Sequence, residues 1–181
     1  MGAYLDEKDK TREFEAIALP HLDAAYNLAR WLTRNDQNAE DLVQNAFLRA
    51  FRFFDGFRGD DARAWLLTIV RNTYFSSLRN ERHDHVEFDE AMHGQGDGSG
   101  DGFSGITGND PEHAAVVRDT QREVNRALDS LPPVFREVIV LKEMNDMSYK
   151  EIAEIAGVPL GTVMSRLARA RKMLGELLGS R

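Results

Sequence analysis

Residues 148–174, "SYKEIAEIAGVPLGTVMSRLARARKML", contain two short helical patterns separated by a turn. Ser148 and Glu151 stand three positions apart before an apolar run, which is the spacing of a capping box at a helix start. Gly157 follows that run and suits the left-handed conformation that ends many helices. A second helix is predicted over 162–174. The stretch therefore predicts a helix-turn-helix unit, since a capped helix, a short turn with glycine and another helix are its parts.

The second of these helices carries cations and no acid: its basic residues are Arg166, Arg169, Arg171 and Lys172. In a helix-turn-helix protein the outer face of this helix enters the major groove, where such side chains meet phosphates and base edges. A basic face that contacts only solvent is the alternative. The capped preceding helix and the turn glycine favour the DNA-binding interpretation.

The rest of the chain is also helical in pattern, so we expect an all-α fold. Residues 14–85 show apolar side chains at helical spacing, Pro132 and Pro133 mark a further helix start, and no strand pattern occurs. We predict two small helical domains, at 1–85 and 120–181, joined by a linker at 86–119.

The net negative charge of the chain arises in and beside the predicted linker. The net charge is -7, yet the eight acids between Asp84 and Glu112 occur without any Lys or Arg, and 22 acids face 23 bases elsewhere. Residues 93–110 also hold seven of the 14 glycines. Such a composition favours a flexible, extended, acidic connection.

The stretch "AFRFFDGFRGDDARAW", residues 50–65, crowds aromatic and guanidinium groups around a turn. Helical spacing assigns Phe51 and Phe54 to the core. The loop residues that remain suit unpaired nucleic acid, because bases stack on rings while phosphates bind guanidiniums. In and beside the loop they are Phe53, Phe57, Arg58, Arg63 and Trp65. A loop that tucks its aromatic rings under the next helix explains the same spacing equally well.

Other classes of function find little support in the sequence. The absence of cysteine excludes disulfides and thiolate metal sites. Because His83, His85, Glu87 and His93 run into the predicted linker, we expect no metal site there, and no cofactor or catalytic motif is found, so we expect no enzyme. The start of the chain lacks a signal-peptide pattern and no stretch is apolar enough to span a membrane, so we expect a cytoplasmic protein without membrane insertion.

Two stretches together resemble the bacterial extracytoplasmic-function (ECF) sigma factors. The first, at 39–82, is "AEDLVQNAFLRAFRFFDGFRGDDARAWLLTIVRNTYFSSLRNER", and the second, at 131–174, is "LPPVFREVIVLKEMNDMSYKEIAEIAGVPLGTVMSRLARARKML". The resemblance implies a transcription initiation factor that binds core RNA polymerase and reads promoter DNA. It also implies a probable anti-sigma partner. A stand-alone helix-turn-helix transcriptional regulator is the alternative.

The resemblance assigns residues to three surfaces. Asp41, Leu42, Gln44, Asn45 and Leu48 would face core RNA polymerase. Phe57, Arg58, Arg63, Trp65, Arg71 and Asn72 would capture melted bases of the minus-ten element. Thr162, Met164, Ser165, Arg166, Arg169, Arg171 and Lys172 would meet the minus-thirty-five element in the major groove. Family members often have an acid at the position of Asn45 and a basic or polar residue at that of Met164, so the promoter sequence can differ, since Met makes no bidentate bond to guanine.

Overall fold

The computed structural model describes residues 7–84 and 111–179, with side chains described in 7–80 and 118–179. Within these ranges the chain forms helices and turns without a strand, so the predicted all-α class is confirmed. The N-terminal half consists of α1 (Glu7–Ala18), α2 (Leu22–Thr33), α3 (Asp36–Phe53) and α4 (Ala62–Asp84), and the C-terminal half of α5 (Pro111–Ser130), α6 (Pro133–Ile139), α7 (Tyr149–Ala156) and α8 (Leu160–Gly179).

The N-terminal half is a bundle in which α2, α3 and α4 pack against one another. Each contributes an apolar stripe, with Leu28 of α2, Ala46 of α3 and Leu67 of α4 fully buried. A second, aromatic cluster attaches α1, because the buried ring of Phe14 makes edge-to-face contacts with Phe51 and Phe54 at centroid distances of 5.3 and 5.4 Å.

In the C-terminal half, α8 packs across α5, α6 and α7. Between α6 and α7 the chain widens into one π-helical turn, Val140–Met144. The inner stripe of α8 is Val163, Leu167 and Ala170, all buried as the helical spacing requires.

The helix starts and ends predicted from the sequence are present in the structure. The Ser148 hydroxyl accepts from the Glu151 N–H, the Glu151 carboxylate accepts from the Ser148 N–H, and Gly157 ends α7 with φ 64°. Pro133 stands at the start of α6. Helix α5 begins at Pro111, inside the segment predicted as linker, because Pro is favoured in the first helical turn. Residues 85–110 lie outside the described residues, and the division into two domains and a linker stays a prediction.

The two halves pack against each other, which the sequence did not predict. Contacts between α4 and α7 and between α2 and α6 join both apolar stripes into one continuous core. The interface between the halves also contains polar contacts: the Asn145 Nδ2 donates to the Ala24 carbonyl at 3.2 Å, and Arg63 donates to the Asn145 carbonyl.

A search of the described helices for a bilayer-spanning segment finds none with the necessary length and apolar character.

Replacing Ser148 by Ala removes the hydroxyl that caps α7, so we expect the free energy of unfolding to fall by about 1 kcal/mol in urea titrations. Ser77→Ala is the control, because the exposed Ser77 hydroxyl donates only to the Tyr74 carbonyl of its own helix. That change is expected to stay within about 0.5 kcal/mol. Equal effects of the two substitutions would contradict the role of the cap.

Candidate nucleic-acid and protein-docking surfaces

Helix α8 presents a polar outer face opposite its buried stripe. Met164, Ser165 and Arg169 are exposed, and Thr162 is half-buried at the start of the helix. The turn that carries them is rigid, since it is bounded by the capped α7 and by the left-handed Gly157. The outer face of α8 therefore has the form and the charge of a recognition helix.

Arg171 and Lys172, the last basic residues of this face, form ion pairs with nearby carboxylates. An Arg171 guanidinium nitrogen lies 2.9 Å from the Glu143 carboxylate, and hydrogen bonds to Glu143 and Tyr149 raise the pKa of Arg171. Lys172 is exposed and 3.9 Å from Glu176 one turn later. These pairs orient the cations without burying them.

Arg166 differs from the other basic residues of α8. It is half-buried, and its Nη1 has no hydrogen-bond partner among the described residues. Its positive charge lowers the pKa of the Glu137 carboxyl, which burial raises by a larger amount. In this arrangement Arg166 is directed into the protein and is not available on the outer face.

The aromatic residues of the loop at 57–61 are tucked in, which was one of the two open interpretations. The Phe57 and Trp65 ring centroids lie 4.6 Å apart, and both rings contact the buried Phe54. Arg58 is exposed, and the Asp61 carboxylate caps the first turn of α4 by accepting from the Ala64 N–H at 2.9 Å. The loop is thus a short rim over an aromatic cluster.

Arg58 is exposed, whereas Arg63 and Arg71 of α4 contact the C-terminal half. Arg63 donates to a carbonyl of the C-terminal half, and the Arg71 Nε lies 2.5 Å from the Glu137 carboxylate. Asn72 is exposed on a different side of the helix from both, although its Oδ1 accepts from Arg71 at 3.3 Å. The six residues assigned to melted bases are therefore not all on one free surface in this arrangement.

The exposed face of α3 consists of Asp41, Gln44, Asn45 and Leu48. Leu48 is 56% exposed, an unusual degree for a large apolar side chain in mid-helix. Leu42 was assigned to the same face, but it is 7% exposed and packs in the core. The reason is helical periodicity, because Leu42 shares the inner stripe with Ala39 and Ala46.

Sequence reasoning missed the residues that join the two halves, above all Arg136, Glu137 and Asn145. All three are buried. The Arg136 guanidinium donates to five backbone carbonyls, those of Trp31, Leu32, Leu128, Asp129 and Leu131. The available signal was the placement of Arg-Glu inside the apolar run "VFREVIVL", where charged side chains need partners.

No metal-binding group of His, Asp and Glu occurs in the part of the chain that the structure describes. Of the four residues considered for a metal, His85, Glu87 and His93 lie outside the described residues, and the side chain of His83 is not described.

Two family models match the chain, in the order of its two halves. Sigma-70 region 2 matches residues 17–83, and sigma-70 region 4 matches residues 121–174. The first contains the exposed face of α3 and the loop before α4, and the second contains the helix-turn-helix unit. Fold and surfaces together define a protein of the sigma-70 class.

Similar proteins identify the family within the sigma-70 class. The chain is 37% identical over 136 residues to the ECF RNA polymerase sigma-E factor of Escherichia coli K12, which covers 74% of this chain and 70% of the relative. It is 31% identical over 167 residues to the ECF RNA polymerase sigma factor SigE of Mycolicibacterium smegmatis, where the match covers 91% of this chain and 61% of the relative. The chain belongs to the ECF sigma factor family.

Solved structures agree with this assignment. The sigma factor RpoE of Bartonella quintana, crystallised with the anti-sigma factor NepR, superposes with a TM-score of 0.67 at 30% identity, over 95% of this chain and 98% of that one. CnrH, solved with the cytosolic domain of CnrY, gives a TM-score of 0.62 at 26% identity, over 94% and 90%. The prediction of a sigma factor is confirmed, and the alternative of a stand-alone regulator is not favoured.

The contrast between Leu42 and Leu48 is testable by truncation. Leu42→Ala is expected to lower the free energy of unfolding by about 2–5 kcal/mol, because it leaves a cavity in the core. Leu48→Ala is expected to change it by less than about 0.5 kcal/mol, because the exposed side chain loses little packing. Urea unfolding followed by circular dichroism measures both, and an equal loss would contradict the assignment of Leu48 to a free surface.

Proposed function

We propose that this chain binds core RNA polymerase and directs it to a defined set of promoters by contacting two separate promoter elements. The observation that carries the proposal is the pairing of an exposed cationic recognition helix in one half with an exposed apolar-polar helix face in the other. A sigma factor has no reaction to catalyse. Its work is binding, so no cofactor is required.

The outer face of α8 is proposed to read the minus-thirty-five element as duplex. Arg169 and Ser165 are exposed polar groups suited to base edges, Met164 offers an apolar contact for a thymine methyl group, and Arg171 and Lys172 are suited to phosphates. Arg166 joins this set only when its half-buried side chain turns outward. Arg71 contributes to the other element only when it leaves Glu137.

Residues 57–65, which comprise the loop and the first turn of α4, are proposed to hold melted bases of the minus-ten element together with Asn72. An extruded base loses stacking in the duplex and gains contacts in a protein pocket, so the exchange is near-balanced and no hydrolysis is needed. Arg58 and Asn72 are exposed for this purpose, while Phe57 and Trp65 supply a supporting aromatic wall. Docking on the polymerase supplies the remaining free energy.

The exposed face of α3 is proposed to dock on the polymerase. Leu48 supplies an apolar contact, and Asp41, Gln44 and Asn45 supply polar contacts around it, which is the composition of a protein interface with a polar rim. A structural neighbour, RpoE of Bartonella quintana, was solved with an anti-sigma factor, so an anti-sigma partner is proposed here as well. A cytoplasmic location follows from the need to meet polymerase and DNA.

Reconstitution with core RNA polymerase tests the function directly. We expect specific run-off transcripts from promoters of the source genome, and we expect Arg169→Ala to reduce them about tenfold, since a good base or phosphate contact contributes on the order of 1–3 kcal/mol. Arg12→Ala, an exposed cation of α1, is the control and should transcribe normally. Failure to co-purify with core polymerase would refute the proposal. Tight binding to a palindromic duplex without polymerase would favour a stand-alone regulator instead.

Strand opening tests the minus-ten assignment. Asn72→Ala is expected to reduce permanganate reactivity of promoter thymines in the polymerase complex, because a hydrogen-bonding group for an extruded base is lost, and a premelted template should restore transcription. Asn80→Ala, on the same helix and also exposed, serves as the matched control. If the premelted template does not rescue Asn72→Ala, Asn72 has a structural role and not a base-capturing one.

A further inference from the structure

Glu137 is the only acid among the buried side chains of the described residues. It belongs to α6 in the C-terminal half and is 0% exposed, yet its partner lies in the other half of the molecule. The Arg71 Nε of α4 donates to Glu137 Oε1 at 2.5 Å, and the Arg71 side chain is 18% exposed. A carboxylate at the interface between the halves thus holds a cation of the N-terminal half.

A second cation, from the C-terminal half, acts on the same carboxylate. Arg166 of α8 lowers the pKa of Glu137 through its charge, and its Nη1 is buried. Neither this nitrogen nor Glu137 Oε2 has a hydrogen-bond partner within the described ranges. Glu137 therefore forms its ion pair with Arg71 across the interface, and Arg166 adds only a longer-range attraction from its own half.

We propose that Glu137 is a latch that keeps the two halves of the free chain together by pairing with Arg71, and that promoter DNA competes with it for this arginine. The inference rests on the proposed function, which assigns Arg71 to the minus-ten element. Closure and promoter binding are then alternative uses of the same side chain.

Arg136 and the Arg34–Asp129 pair, which also lie at the interface, depend less on closure. Arg136 donates to the Trp31 carbonyl of the N-terminal half at 3.0 Å, but it also donates to three carbonyls of its own half, which remain when the halves separate. Arg34 lies 3.7 Å from Asp129 with about half of its side chain exposed, so that pair contributes little. Glu137 is different because its hydrogen-bonded partner, Arg71, is on the opposite half.

The Glu137 ion pair stabilises the closed chain, but DNA phosphates can compete with it. Without the carboxylate, the Arg71 guanidinium would lose its partner while its side chain is only 18% exposed, which is unfavourable. With it, the attraction is offset by desolvation, and burial raises the pKa of Glu137 above its ordinary value despite the two arginines. DNA phosphates offer the Arg71 guanidinium charge-assisted hydrogen bonds at a surface that stays hydrated. Competition between the two pairings is therefore balanced.

The absence of native cysteine allows a direct test of closure in the full chain. Cysteines introduced at the exposed positions Gln37 and Glu154, one in each half, carry a donor and an acceptor dye for energy transfer. Glu137→Gln keeps the shape of the side chain and removes its charge, and we expect the ratio of open to closed molecules to rise at least about tenfold.

Glu143→Gln is the matched control. It makes the same change in net charge and breaks the pair with Arg171, which lies within the C-terminal half at 2.9 Å. We expect it to leave the energy transfer unchanged. If Glu137→Gln leaves the energy transfer unchanged, or if both variants open the chain equally, the latch is refuted.

Arg71→Gln provides a second route to the same conclusion, and it stands alone where Glu137→Gln unfolds the protein, since it should open the chain by itself. Where both single variants fold, the double variant should open the chain no further than either, because both substitutions remove one interaction. If the double variant opens the chain by the sum of the two single effects, the latch is contradicted. Circular dichroism verifies that each variant is folded.

Binding of a short mixed-sequence DNA duplex separates the latch from the function on which it rests. Glu137→Gln should bind this probe several-fold more tightly than Glu15→Gln, which removes an exposed carboxylate of α1 and makes the same change in net charge, because opening frees Arg71 in addition. Opening without this gain supports the latch and contradicts the DNA-binding role assigned to Arg71.

Discussion

One buried guanidinium connects helix ends from both halves. Arg136 sits where the C-terminal ends of α2 and α5 meet, and its donors fill the carbonyls that a helix end leaves unsatisfied. A cation at this place also opposes the partial negative charge of both helix ends. Because the side chain is 3% exposed, burial lowers its pKa, and the five carbonyls compensate for the lost hydration. This side chain therefore orients the two helix ends toward each other when the halves are in contact.

Around this point the interface between the halves combines an apolar core with polar contacts at buried positions. An interface of that kind resembles those between domains that move, which are more polar than permanent ones. Asn145 illustrates it: its amide nitrogen and its carbonyl both bind across the interface, while Oδ1 lacks a partner within the described chain. Each such group is satisfied equally well by water. Separation therefore exposes groups that water can accept.

The helices and their ends could be predicted from sequence because their causes are local. A capping box, a left-handed glycine and a proline at a first turn act within a few residues, so α6, α7 and α8 are readable. The interface could not be predicted, because Arg71 and Glu137 are separated by 66 positions and only the fold brings them together. Leu42 shows the same limit on a smaller scale. A resemblance assigns residues to a surface by position, whereas burial depends on which neighbour covers each face of the helix.

The distribution of charges gives the closed form a partial affinity for DNA. Arg169 and Lys172 on α8 and Arg58 on the loop stay exposed, so the long-range attraction to phosphates survives closure. Arg63 and Arg71, however, are engaged across the interface, and the proposed capture of melted bases needs cations at that place. A closed chain can therefore approach duplex DNA without holding a melted strand. The proposed polymerase contact is the face of α3 that stays exposed in the closed chain, so docking there can precede opening, and base capture then becomes possible when the halves separate.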